Sequence, residues 1–337
     1  MKSIKFKATI YALIAALLYA INMPLSKLLL TEIEPIFMAS FLYFGAGIGI
    51  GIIYFLLKKK EENKQNRLSK KDLPYTLGMI ILDILAPIFL MIGLQTANPE
   101  NASLLNNFEI VTTTIVALVI FKEVVSKRLW IAIALITLSS ILLTVSDFSS
   151  LQFSYGSIFV ILACTCWGFE NNCTRMLASK NTYEIVILKG IFSGLGSFIV
   201  AIATGEHFPK MIFILPALLL GFIAFGLSIF LYIKAQDVLG ASKTSAYYAT
   251  SPFIGAIISF IIFENQITPT FIIACLIMII GTVIVTIDTF IINHTHQHTH
   301  KVYSNNKVIR TYTHTHSHNH YNEANNSRDS VHKHQHL

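Results

Sequence analysis

Charge is scarce in this 337-residue sequence. Asp, Glu, Lys and Arg together make up 13% of it, about half of the roughly 25% found in soluble domains. With 54% hydrophobic residues, a single soluble domain would have to hide more apolar surface than its core can hold. The same figures exclude a mainly disordered chain. Cysteine is sparse too: Cys164, Cys166, Cys173 and Cys275 all lie within apolar runs, where they read as small packing residues, not a disulfide framework. Of the twelve histidines, only His207 precedes residue 294. The apolar region therefore has no His-Glu-x-x-His motif and no histidine to activate a serine, which argues against a membrane-embedded enzyme. A Gly-x-x-x-x-Gly-Lys phosphate loop is also missing, so direct ATP drive is not expected.

What the sequence has in abundance is long hydrophobic stretches. About 20 apolar residues cross a bilayer as a helix, and runs of this kind fall at about 8–30, 35–57, 74–95, 101–122, 129–147, 155–177, 183–203, 212–234, 240–262 and 267–290. The reading is an all-α integral membrane protein with ten spans. The net charge of +7 is no nucleic-acid signal. With the N-terminus placed in the cytoplasm, seventeen basic residues fall in inner loops or at inner helix ends, from Lys2, Lys5 and Lys7 to Lys234 and Lys243. Five more lie in the C-terminal tail, leaving Lys27, Lys189 and Lys210 for the membrane and the outer side. The positive-inside rule thus expects both termini in the cytoplasm of a multi-pass plasma-membrane protein.

The two halves repeat. Tyr19-Ala20-Ile21-Asn22 followed by Ser26-Lys27 matches Trp167-Gly168-Phe169-Glu170 followed by Thr174-Arg175 at an offset of 148. Glu123 matches Glu264, and Asp147 matches Asp288, at 141. Gly45/Gly49 in span 2 match Gly190/Gly194 in span 7 as small-residue packing faces. Five spans per copy is an odd number, so the second copy enters the membrane inverted, with a site expected near the midplane.

Two segments carry a family resemblance. One runs from Asn101-Ala102-Ser103 through Phe121-Lys122-Glu123 and Trp130 to Asp147; the other runs from Gly240-Ala241-Ser242 through Pro252 to Glu264. The sequence resembles the EamA domains of the drug/metabolite transporter superfamily over about residues 8–290, with Val111 where the first repeat often has proline. The resemblance implies ten helices in two repeats, bounded here as 1–147 and 155–290, and movement of small organic solutes.

An ionisable residue in mid-membrane costs at least ~2.5–3.5 kcal/mol and normally faces a cavity or a partner. Asp83 in span 3 and Glu109 in span 4 both approach the midplane, counted at about 1.5 Å per residue. Asn106 and Asn107 lie one turn from Glu109, and Pro87 one turn after Asp83. Two such carboxylates would not both ionise easily, so one is a candidate proton carrier. Glu170 and Lys189 fall at equal depth on consecutive antiparallel spans and are expected to pair. Asn22, Trp167 and Asn171 complete the polar set, with Tyr247 and Tyr248 on span 9 as cavity-lining candidates.

Residues 291–337 read as a disordered, His-rich tail. His294, His296, His298 and His300 alternate, as do His314, His316, His318 and His320, and neutral imidazoles in this pattern suit Zn²⁺, Ni²⁺ or Cu²⁺. The expected function is a secondary permease or exporter of a small organic metabolite or amino acid, needing no cofactor and open to proton coupling. The alternative is a divalent-metal permease, or a metal-regulated transporter, served by the tail.

Overall fold

In a computed structural model, residues 2–57, 67–121, 126–147, 152–177, 180–239, 244, 247–304 and 307–319 are described. The helices are α1 (Lys2–Ala20), α2 (Asn22–Leu29), α3 (Pro35–Leu57), α4 (Leu73–Thr96), α5 (Pro99–Leu105), α6 (Phe108–Phe121) and α7 (Lys127–Thr144). They continue with α8 (Tyr155–Met176), α9 (Thr182–Thr204), α10 (Met211–Gly221), α11 (Ser228–Leu239), α12 (Ser251–Phe263) and α13 (Pro269–Ile292). A π-helical stretch, Phe222–Leu227, joins α10 to α11. Pro35, Pro74, Pro99, Pro252 and Pro269 all stand in the first turn of a helix, where the missing N–H removes no intrahelical bond. Pro87 and Pro216 are interior to α4 and α10. Pro87 leaves the carbonyl of residue i−4, which is Asp83, without its helical donor.

Eight helical stretches among the described residues are long and apolar enough to cross a membrane, counting α1 with α2, α5 with α6, and α10 with α11 as continuous. The two remaining expected spans look different. The run at 155–177 is α8, whose last turns carry Glu170, Asn171 and Asn172 and so dilute its hydropathy. The run at 240–262 yields the 13-residue α12. Burial is reversed at the periphery, as a hydrocarbon solvent requires. Phe55, Leu56, Ile199 and Ile261 are exposed, whereas Asn22, Asp83, Asn107 and Glu170 are buried.

Helix pairing follows the repeat. α3 packs on α9, α7 on α13 and α5 on α12, each joining equivalent spans of the two halves. α4 packs on α8 just as α11 packs on α1, and α6 on α8 just as α12 on α1. Exchanging the halves leaves these pairings unchanged. Glycine permits the tightest crossing: a Cβ on Gly190 would come within 2.4 Å of Gly47 Cα, backbone against backbone. Gly45 and Gly49 face Leu218 and Phe222, and Gly194 faces Phe44.

Polar ties fasten two helix ends. The Lys27 ammonium donates to the carbonyls of Leu94, Gln95 and Ala97 at 2.7, 2.9 and 3.1 Å, capping the C-terminus of α4. The Glu206 carboxylate accepts from the N–H groups of Ile36 and Phe37, both at 2.9 Å, capping the start of α3. Burial and the neighbouring Glu34 charge push the Glu206 carboxyl above the usual range, against the pull of those two N–H groups.

The C-terminal segment departs from expectation. Where disorder was expected, β3 (Asn293–Ser304) and β4 (Lys307–Asn319) form an antiparallel hairpin. Thr alternating with His, together with Val302, Tyr303, Val308, Ile309 and Tyr312, supplies β-propensity. Two short strands, β1 (Val145–Asp147) and β2 (Gln152–Phe153), also pair between α7 and α8.

Candidate functional site

Three charged side chains meet between α4, α8 and α9. Lys189 Nζ lies 3.0 Å from Asp83 Oδ2 and 3.0 Å from Glu170 Oε1. The two carboxylates are 0% and 2% exposed, so water cannot take the place of the lysine. Bringing such ions out of water costs several kcal/mol each unless they are paired and hydrogen-bonded. The remaining valences are filled by neighbours. Tyr43 OH donates to Asp83 Oδ1 at 2.9 Å, and Trp167 Nε1 donates to that phenol oxygen at 3.4 Å. Thr174 Oγ1 donates to Glu170. Asp83 Oδ2 has no aligned hydrogen-bond donor and is satisfied by the ion pair alone.

The expected Glu170–Lys189 pair is therefore a triad, with Asp83 as its third member. This changes the reading of the two midplane carboxylates. Asp83 is neutralised by Lys189, while Glu109 has a separate partner on α8. Asn171 Nδ2 donates to Glu109 Oε1 at 2.6 Å and approaches Thr113 Oγ1 at 3.3 Å. Depth counting placed Asp83 and Glu109 at one level but carried no information about rotation around each helix axis.

A break in the helix positions this second group. α5 ends and α6 begins at the turn Asn106–Asn107, where Asn107 N–H bonds Leu104 O and Glu109 N–H bonds Asn106 O, three residues back instead of four. Asn106 Nδ2 donates to Tyr19 OH at 3.2 Å, close to the matching break between α1 and α2 at Ile21. Asn107 is 3% exposed and its Nδ2 has no partner. Cys164 lies beneath the break, its Sγ 3.6 Å from Leu105 O, as a packing residue. All four cysteines are free thiols.

Aromatic rings connect the two groups. Phe225 lies 5.6 Å from Tyr43 and 5.7 Å from Tyr19, and Tyr19 lies 5.7 Å from Tyr248. Tyr248 OH is 3.1 Å from Ser228 Oγ, so this expected lining residue does reach the interior. Tyr247 contributes through its backbone, whose carbonyl accepts from Thr250 Oγ1. The sequence marks Thr174 through the repeat alone, and it marks neither Tyr43 nor Phe225 as a site residue. Tyr43 had one signal: it is one of three hydroxyl side chains in the otherwise apolar run of α3, with Ser40 and Tyr54, and lies two residues before Gly45.

Among the described residues, no hydrogen bond joins Asn22 to the triad, yet it has a counterpart there. Ser26 Oγ donates to Asn22 Oδ1 at 3.1 Å, the same one-turn bond that Thr174 makes to Glu170. The Asn22 Nδ2 atom is buried and unpaired.

Among the described residues, no group of three or more His, Cys, Asp or Glu is arranged to hold a metal ion. In the tail hairpin the Cα register pairs His294 with His318, His296 with His316 and His298 with His314, while His300 lies opposite Tyr312. His320, His332, His334 and His336 lie outside the described residues.

A multi-pass helical bundle with paired halves and a buried charged centre defines a membrane transporter. The EamA-like transporter family model matches residues 6–145 and again 154–287, and the chain belongs to that family. It is 26% identical over 272 residues to an uncharacterized transporter of Methanothermobacter thermautotrophicus, covering 74% of this chain and 78% of that one. It is 24% identical over 231 residues to the uncharacterized transporter YyaM of Bacillus subtilis, covering 64% and 73%. A crystal structure of a protein with 15% sequence identity shares the fold, with a TM-score of 0.60 over 84% of this chain and 97% of the other.

Proposed function

We propose that this transporter is a secondary, non-enzymatic carrier that moves a small organic metabolite or amino acid by alternating access. Its units would be two inverted five-helix repeats, 1–147 and 155–290, rocking around the buried centre in the plasma membrane, with both termini cytoplasmic. The observation that carries this reading is the triad itself: Asp83 comes from the first half, and Lys189 and Glu170 from the second. An ion pair shared across two halves is a contact that relative motion can break and remake. Glu109, the carboxylate held by an amide instead of a cation, is the residue we assign to proton coupling.

Reconstitution into liposomes tests it. Counterflow of a solute identified by profiling cells and medium with and without the protein supports a carrier. Glu109→Gln should abolish accumulation driven by a pH gradient while exchange at equal concentrations persists. Uphill uptake retained in that variant would remove Glu109 from the proton path.

A second reading concerns the tail. The cross-strand histidine register favours binding of Zn²⁺, Ni²⁺ or Cu²⁺ there, as a regulatory site attached to an organic-solute carrier or to a divalent-metal permease.

A further inference from the structure

The seam where α4 of the first half meets α8 and α9 of the second changes character along its length. At one end backbone meets backbone. A Cβ on Gly93 would come within 2.6 Å of Gly156 O, and one on Gly156 within 2.5 Å of Ala97 N. Glycines allow this approach and leave no side chain that could move aside. The triad lies between that contact and the opposite end, where α4 and α9 begin. There the contacts are carried by side chains.

Two layers close that end. Met79 of α4 packs with Leu177 and Ile185 of the second half, with Leu68, Ile80 and Cys173 around them, as a small apolar cluster separate from the main core. Two turns before Met79, and three residues after Leu177, Asp72 and Lys180 form an ion pair at 2.9 Å. Ser69 holds the aspartate in place, its N–H and Oγ donating to the same carboxylate oxygen at 2.8 and 2.7 Å. Lys180 also donates to Arg67 O at 3.5 Å, and Arg67 Nε lies 3.7 Å from Glu184 Oε1. The Asp72, Arg67 and Glu184 ties all join segment 67–72 of the first half to segment 180–184 of the second.

The two ends differ in what it takes to part them. Asp72 and Lys180 are 17% and 18% exposed, so water reaches both and can replace each partner at small cost. Only three fully enclosed apolar side chains separate this pair from the triad, which lies about 16 Å further along α4. The glycine contact has no such exchangeable parts. We propose that this seam is a gate: the halves pivot at Gly93 and Gly156 and part at the end held by Asp72 and Lys180. Met79, Leu177 and Ile185 are its seal, and the triad is its innermost contact. Asp72 and Lys180 act as positioning residues that hold the closed state. The assignment rests on the carrier reading and names the part that moves.

A native thiol tests it. Cys173 belongs to the seal, and a Cβ on Gly78 of α4 would come within 3.1 Å of its Sγ, so Gly78→Cys sets two thiols across the seam. In liposomes carrying the full-length variant, copper phenanthroline in air should join them, with the linked peptide identified by mass spectrometry. Counterflow of the solute found by profiling should then fall to background and return with dithiothreitol. Counterflow that persists in the fully cross-linked protein overturns the gate. A second measurement needs neither that variant nor a solute. N-Ethylmaleimide should alkylate Cys173 about three- to fivefold faster in Asp72→Asn/Lys180→Met than in the unaltered protein, the scale of a partly exposed ion pair. Cys275, on α13, should react at an unchanged rate in both. An unchanged rate at Cys173 overturns the gate whatever the cross-link does. If Cys173 responds as expected but the reduced protein shows no counterflow, the moving seam stands and the carrier reading falls.

Discussion

Asn22 and Glu170 hold equivalent places in the two halves of this transporter, and each accepts a hydrogen bond from a hydroxyl one turn later. The backbone and the bond are shared; the charge is not. Glu170 is matched to Lys189, whereas the position equivalent to Lys189 at the Gly190-to-Gly45 offset is Phe44. An amide therefore suffices at Asn22. The two halves have kept a common frame, while this pair of positions is charged in the second half alone.

The triad predicts an unequal mutational pattern. Lys189→Met strands two buried carboxylates and should cost about 3–5 kcal/mol, seen as loss of monodisperse protein and of transport. Adding Glu170→Gln and Asp83→Asn should recover much of the folding loss, because no charge is then left unpaired. Melting temperatures of the single, double and triple variants measure this, and strictly additive losses would contradict a shared cluster.

Helix crossing gives a paired control. Gly190→Ala places a methyl against the Gly47 backbone and should destabilise by about 1–3 kcal/mol. Gly51 has nothing within 4 Å of the same position, so Gly51→Ala should be neutral or stabilising by up to about 1 kcal/mol. Thermal melts in one detergent compare them directly.

The Glu206 cap on α3 predicts a pH dependence. Burial raises the Glu206 carboxyl above its usual 4.5, so the folded protein binds this proton more tightly than the unfolded chain. Its contribution is fully present below pH 4.5 and is lost as the pH rises through the raised value. Glu206→Gln should flatten the decline in melting temperature over that window. An unchanged slope would place the dependence on another group.

Truncation after Ile292 separates the tail from the bundle. The helical core should keep its melting temperature within about 2 °C, since ΔΔG well below 1 kcal/mol shifts a domain of this size by no more. Retention on immobilised nickel should nearly vanish. Full retention by the truncated chain would locate the metal site in the bundle.

A topology reporter after Leu337, and another near Asn63, should both read as cytoplasmic. The basis is the set of basic residues gathered on one side of the apolar runs. A signal from the opposite side at either position would overturn the orientation.

Much of the architecture follows from composition and order along the chain, because hydrocarbon imposes one strict demand. Backbone groups must be satisfied within each crossing segment, so long apolar runs become helices whatever their detailed sequence. The repeat, the glycine faces and the polar residues at mid-span were readable for the same reason, since each is a local exception to an apolar run. Partner choice was not readable. A membrane helix apolar on nearly every side leaves its rotation about its own axis unspecified by pattern, so equal depth could not tell Asp83 from Glu109 as the neighbour of Lys189. Close packing of α4, α8 and α9 fixed those rotations and brought Asp83 and Glu170 to the same ammonium. It also left Glu109 to Asn171. The pairing across these helices depends on residues up to 106 positions apart, Asp83 and Lys189, and only the packed bundle brings them to 3.0 Å.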